Sequence, residues 1–440
     1  MPGEMEGSAD DAEIISEDSV KKKEGNDESR DTKSAAPAIS EKGVLDLSSC
    51  DLCTLPHHDD YLSTTELNLD YNNLTALPDD ISTSLPRLKK LSIIGNDLKE
   101  FPDKIGSLSE LQEVQASENE LVCLPGSFKD LRCLEILNLL GNKLTELIPE
   151  FGCLGKLQRL DVEENNLSAL PESFGSLTNL EVFEASANGI ESLPESFGQL
   201  GMLRVLNLSN NKLTSLPESF ADLPNLRWVD LSGNKIEDLP DRFDSAPTLE
   251  RLYMIGNSVK SIPEWIGTLP NLKELSFRDN QLVHKPFTEE FGSVSVQLEF
   301  FDFSGNSIKE LPSTFGNLKQ LKTLHFGSVI DELERRNYQN GNWIPHLPDS
   351  FGELQSLEEL RADENQLMEL PENFGLLFNL TFIDLGQNMI EVLPASFPQL
   401  RSLKVCKLSK NHLQSLPDDF GRLTSLEDLR LDCNQVGHFI

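Results

Sequence analysis

From Val44 to the C-terminus, apolar and polar positions follow one repeating order. Two apolar residues stand at alternate positions, an asparagine follows, then a further apolar residue, then Leu-Pro, then an aromatic. Three consecutive units, NLSALPESFGSLTNLEVFEASAN from Asn166, GIESLPESFGQLGMLRVLNLSNN from Gly189 and KLTSLPESFADLPNLRWVDLSGN from Lys212, are each 23 residues long. Fifteen asparagines hold the phase, from Asn72 and Asn96 to Asn411 and Asn434; their spacing is 24, then 23 eight times, then 26, 59 and 23 three times. An earlier unit, LDLSSCDL from Leu45, carries Cys50 at the asparagine position. With one interrupted unit, this predicts about 17 repeats of 23 residues.

Each position has a physical task. Apolar residues at period 2 predict a short strand with one buried face, and strands of successive units stack in parallel. An asparagine side chain both donates and accepts, so a buried column of them can satisfy backbone groups where the chain leaves the sheet. Proline after leucine ends strand pairing and turns the chain. Eleven phenylalanines, among them Phe128, Phe174, Phe243, Phe351 and Phe420, stand nine residues after an asparagine and predict a stacked spine on the opposite side. Acids after the proline, such as Glu172, Glu195 and Glu264, open the turn there, where a carboxylate suits the N-terminal dipole. No unit closes its own core, so stability must come from stacking on neighbours.

Departures from the period mark other regions. Residues 1–42 hold twelve acids, six bases and few large apolar residues; this acidic tail is expected to be disordered, with residues 43–440 forming the solenoid. Ser8 and Ser16, beside acids, fit the pattern of an acid-directed kinase; a solubilising tail without a switch is the first expectation. In the interrupted unit Val329 stands where an asparagine is due, and the phase resumes at Asn342. The excess is a 13-residue insertion, 327–339, whose residues Glu332, Arg335, Arg336 and Tyr338 are expected to decorate the binding side. Three extra residues near Phe287 read as a bulge. The chain stops at Ile440 inside a unit without a polar cap, so a partner, a second copy or poor order is expected there.

The net charge of −35 argues against nucleic acid, whose phosphates it would repel, and against anionic membranes. No apolar run approaches the roughly 18 residues of a membrane-spanning helix, and the first residues lack the basic and apolar regions of a secretory signal. Seven scattered cysteines fit a reducing compartment, either cytoplasm or nucleus. Cys50, Cys53, His57 and His58 make only a faint metal pattern. With no phosphate-cradling loop, nucleophile elbow or paired-histidine zinc motif, neither an enzyme nor a cofactor is expected.

Function is therefore sought on the strand face turned away from the core, six, four and two residues before each asparagine. Those positions give Arg159, Asp161, Glu163, Glu184, Asn207, Trp228, Asp230, Arg251, Tyr253, Ile255, Arg278, Phe300, Asp302, His325, Arg361, Asp363, Phe382 and Asp384. Large aromatics among arginines and carboxylates are the mixture of protein-binding hot spots.

The unit L-x-L-x-x-N-x-L, with LPxSFGxL following, resembles the leucine-rich repeat, and the resemblance covers Val44 to Ile440. It implies an α/β solenoid, a curved horseshoe with parallel strands on its concave face and short helices or turns on its convex side. Among such repeats it is most similar to the Ras-group proteins of the Shoc/Soc type and of plants. That resemblance implies an intracellular signalling scaffold whose partners include small GTPases and phosphatase subunits. A structural adaptor for polarity, cytoskeleton or cilia is the competing expectation. Oligomeric state is left open.

Overall fold

The computed structural model describes residues 43–56, 59–242, 248–283, 285–288, 291–292, 297–329 and 341–437. The acidic tail, His57, His58, Phe243 and the insertion's Glu332, Arg335, Arg336 and Tyr338 lie outside them. Among the described residues, seventeen strands of three residues each, from Val44–Asp46 to Asp428–Arg430, join in one parallel sheet in chain order. The register steps by one repeat; for example, Val182, Phe183 and Glu184 lie opposite Val205, Leu206 and Asn207. Every strand but the last buries its middle residue, so Leu160, Phe183, Leu206 and Val229 are fully buried, whereas Leu429 of the last strand is exposed.

Beyond the strand, the asparagine closes the turn. Asn165 donates to the carbonyls of Val162 at 3.1 Å and Glu163 at 3.0 Å, and to Leu139 of the preceding unit at 2.9 Å. Its Oδ1 accepts the Leu144 amide at 2.9 Å. Asn119, Asn211, Asn234 and Asn388 repeat this set. The residue before the asparagine takes a left-handed backbone, as glycine at Gly141 and Gly233 but as Glu118, Glu164 and Ala187 elsewhere, with φ near +51 to +53° in these three. Strain in non-glycine residues there is held in place by the hydrogen bonds on either side.

The opposite side is built mainly from 3₁₀ turns such as Glu172–Ser176 and Glu195–Gln199, each with Pro before its first acidic residue. Phe174 and Phe197 stack with ring centroids 6.1 Å apart and planes within 1°, and the spine continues at 6.1–6.4 Å through Phe315, Phe351, Phe374, Phe397 and Phe420. After Phe174 a glycine permits this approach: a Cβ on Gly175 would lie 2.0 Å from the Ser196 carbonyl oxygen. Strands pack about 4.8 Å apart, whereas the spine needs more than 6 Å per unit. The array must therefore bend, with the strands on the inner, concave side.

Both irregularities leave the asparagine ladder intact. Asn342 is wholly buried and donates to Phe326 O at 2.9 Å and Phe303 O at 3.0 Å, while its Oδ1 accepts Ile308 N at 3.0 Å. Sixteen residues separate Asn342 from Phe326, where three separate Asn306 from Phe303, so the 13 extra residues leave and return between strand and asparagine. The three extra residues before Asn306 make no bulge in the strand ladder. On the convex side of this unit Phe287 and Phe291 are buried against Phe301, Phe303 and Phe315. Phe291 thereby fills the spine position two residues late.

Asn342→Ala should cost roughly 1–3 kcal/mol, because it leaves the buried Ile308 amide without its acceptor, while the Phe303 and Phe326 carbonyls keep Asn306 and Asn365 as donors. Chemical denaturation should show a larger loss than for Asn434→Ala in the last unit. Equal, small losses would contradict the assignment of Asn342 to the ladder.

Candidate protein-binding surface

In a three-residue strand the first and third side chains share the face away from the core. These are the residues six and four positions before the asparagine. The row four before has a structural duty that the sequence reading did not assign. Asp161, Asp230, Asp302 and Asp384 each accept the backbone amide two residues on, at 2.8–3.0 Å. Asn68, Asn138 and Asn207 accept in the same way. Asp161, Asp302 and Asp384 are buried, as is Asp363 at the next position along. These acids are part of the sheet's edge, not freely solvated side chains.

Three clusters occupy the face. In the first, Arg159 pairs with Glu184 at 2.8 Å, and Glu163 Oε1 accepts both Ser186 Oγ and Asn207 Nδ2 at 2.7 Å. Burial pushes the Asp161 carboxyl up to about 7, the Glu163 amide opposing and the Glu184 and Glu163 carboxylates adding to it. Burial raises Glu184 too, against the pull of Arg159. In the second cluster, Trp228 meets Tyr253 edge-on at 6.3 Å. The Tyr253 hydroxyl donates to Glu274, which also holds Arg251 Nε at 3.0 Å. Burial and then Glu274 raise the Tyr253 phenol well above its ordinary value.

The third cluster is the longest. Phe300 meets His325 edge-on at 5.7 Å; His325 Nε2 lies 3.1 Å from Glu359 Oε1, which also accepts Arg361 Nε at 2.7 Å. Arg361 stands 5.1 Å from the Phe382 ring centroid and Lys407 Nζ 5.3 Å from it, Lys407 also pairing with Asp384 at 3.4 Å. His325 first, and then Arg361, hold the Glu359 carboxyl down to about 2, against its burial. The strip crosses five strands, about 19 Å at ordinary strand spacing. Arg278 points instead to the root of the insertion, donating to Val329 O at 2.8 Å, and Ser328 N reaches Asp363 Oδ2 at 3.4 Å.

The anchors Glu274, Glu359 and Lys407 escaped the sequence reading. Their signal was available: Arg251 and Glu274 face each other in register on neighbouring strands, where opposite charges attract.

A single parallel sheet, an asparagine ladder and a convex aromatic spine together define a leucine-rich-repeat solenoid. Patterns described as Leucine rich repeat match residues 63–121, 186–236 and 378–436, with further matches at 156–177 and 297–318. A leucine-rich-repeat protein of Leptospira interrogans has a similar structure, with a TM-score of 0.68, 28% identity and coverage of 88% of this chain and 96% of that one. The leucine-rich-repeat ectodomain of the Arabidopsis thaliana receptor kinase GASSHO1/SCHENGEN3, in complex with CASPARIAN STRIP INTEGRITY FACTOR 2, superposes with a TM-score of 0.67 at 26% identity. That match covers 90% of this chain, which spans about half (51%) of the ectodomain. YopM of Yersinia enterocolitica gives 0.51 and 26%, over 90% of this chain and 88% of YopM. No curated protein matches the chain. Among the described residues no helix is long and apolar enough to cross a membrane.

The raised Asp161 acidity gives a test with a definite sign. Between its ordinary value of 3.8 and about 7, the folded protein keeps a proton that the unfolded chain has lost. Stability from this site therefore falls as pH rises through that window. Asp161→Asn retains the acceptor for the Glu163 amide, as Asn138 and Asn207 do in their units. The variant should melt higher than wild type at about pH 8, with the gain shrinking towards about pH 5. A gain independent of pH would refute the burial account.

Proposed function

We propose that this protein is a non-enzymatic scaffold that grips a protein partner on its concave face. The observation that carries the reading is the strip from Phe300 to Lys407, where aromatic rings alternate with paired charges across five strands. Ring faces offer large contact area at low entropic cost, and charges already held in place lose little freedom on binding. Trp228 and Tyr253 extend the same surface towards the N-terminal half. The GASSHO1/SCHENGEN3 ectodomain, similar over most of this chain, is seen with a bound factor, which supports recognition of another polypeptide.

Within that reading, the Ras-group resemblance favours an adaptor in intracellular signalling, with a small GTPase or a phosphatase subunit as partner. Crosslinking mass spectrometry in cells should show partners lost from a Trp228→Ala, Tyr253→Ala variant and from Phe382→Ala, with circular dichroism unchanged. An unchanged partner set would move the binding site off the concave face. Capture of a GTPase loaded with GTP but not GDP would support the signalling role; equal or absent capture would remove it and leave a structural adaptor.

A further inference from the structure

The repeat supplies its own control for surface composition. Between the asparagine and Leu-Pro each unit passes along one flank of the solenoid, where its first residue donates its amide to the preceding unit, as Met389 N does to Leu367 O at 2.9 Å. Side chains one, three and four places after the asparagine have no core duty and are mostly polar or charged: Glu120, Lys143 and Lys235 at the first place, Lys260 and Lys309 at the third, Asp238 at the fourth. Across two adjacent units this changes. Met368, Met389 and Val392 are apolar and 50%, 45% and 60% exposed. They line a groove of about 490 Å³ with Glu369, Glu391 and His412. Glu369 and Val392 also line an adjoining groove of about 560 Å³, bordered by Glu372, Asp418 and Asp419. No lysine or arginine lines either one.

We propose that this flank is a second docking surface, distinct from the concave strip, for a partner segment with an apolar stripe edged by lysine or arginine. Exposed apolar side chains gathered in one place lower the free energy only when covered, and methionine adapts its shape to what covers it. The five carboxylates supply the complement for a basic edge and would repel an acidic one. The charge of −35 over the whole chain adds attraction at long range.

The six methionines allow a direct test on the full chain by methyl NMR of ¹³C-methionine. The probe is an amphipathic Leu/Lys peptide, with a Leu/Glu peptide of the same spacing as control. The Leu/Lys peptide should shift the Met368 and Met389 methyls and leave exposed Met202 and buried Met254 in place. A Met368→Gln, Met389→Gln, Val392→Ser variant uses residues that stand at the same places in Gln414, Gln366 and Ser415, so folding is preserved. It should bind about tenfold more weakly, whereas Phe382→Ala should bind as wild type. Equal binding of the Leu/Glu peptide, unchanged binding by the triple variant, or loss in Phe382→Ala would overturn the proposal. So would concentration-dependent shifts of Met368 and Met389 without peptide, which would make a second copy the occupant.

Discussion

Everything in this solenoid depends on the asparagine that ends each strand. It is the one side chain that can donate to carbonyls of its own turn and of the turn before, and accept an amide from that earlier turn, all at one buried point. Aspartate lacks the donors, and a leucine at Asn165 would leave the buried Leu144 amide without its acceptor and remove one of two donors from the Leu139, Val162 and Glu163 carbonyls. Because each link spans two units, the ladder transmits register along the array, which explains why the spacing of 23 is so closely kept. It also explains how 13 residues can be added without harm: Asn342 restores three of these contacts after the detour, to Phe326, Phe303 and Ile308.

The curvature follows from a mismatch of two spacings. Backbone hydrogen bonds set the distance between strands, while ring thickness and the turns around it set the distance between phenylalanines. Since the second exceeds the first, bending is unavoidable, and the strand face becomes the inner surface. Side chains there are brought closer than on a flat sheet. That crowding buries Asp161, Asp302 and Asp384 and couples charges from adjacent units, as Glu359 couples His325 to Arg361.

The concave row thus divides into two classes that look alike in one dimension. Asp230 and Asp302 turn their carboxylates to the backbone and serve the fold. Arg361 and Lys407 instead direct their charged groups to the Phe382 ring of the neighbouring row, on the surface proposed for recognition. Aspartate can do either, so its role is set by whether an amide two residues on is pointing at it. Arginine and lysine cannot accept such an amide, and their presence in the same row reports a site where the backbone cap has been given up.

The sequence by itself determined the number of repeats, the strand and core positions, the asparagine column and the aromatic spine. Periodicity carries these because each recurs in most units, and a constraint repeated that often is legible without coordinates. Which concave residues act together was decided only by the tertiary structure. Contacts such as Tyr253 to Glu274 or Lys407 to Phe382 join residues one repeat apart, and their geometry depends on register, bend and rotamer. Phe291 gives the same lesson from the core: it sits two places out of phase, and only the folded chain brings its ring onto the spine. The exposed groove at Met368 and Met389 lies between these cases. Its residues stand out from their columns in the sequence, but only burial tells a core methionine such as Met254 from one that faces solvent.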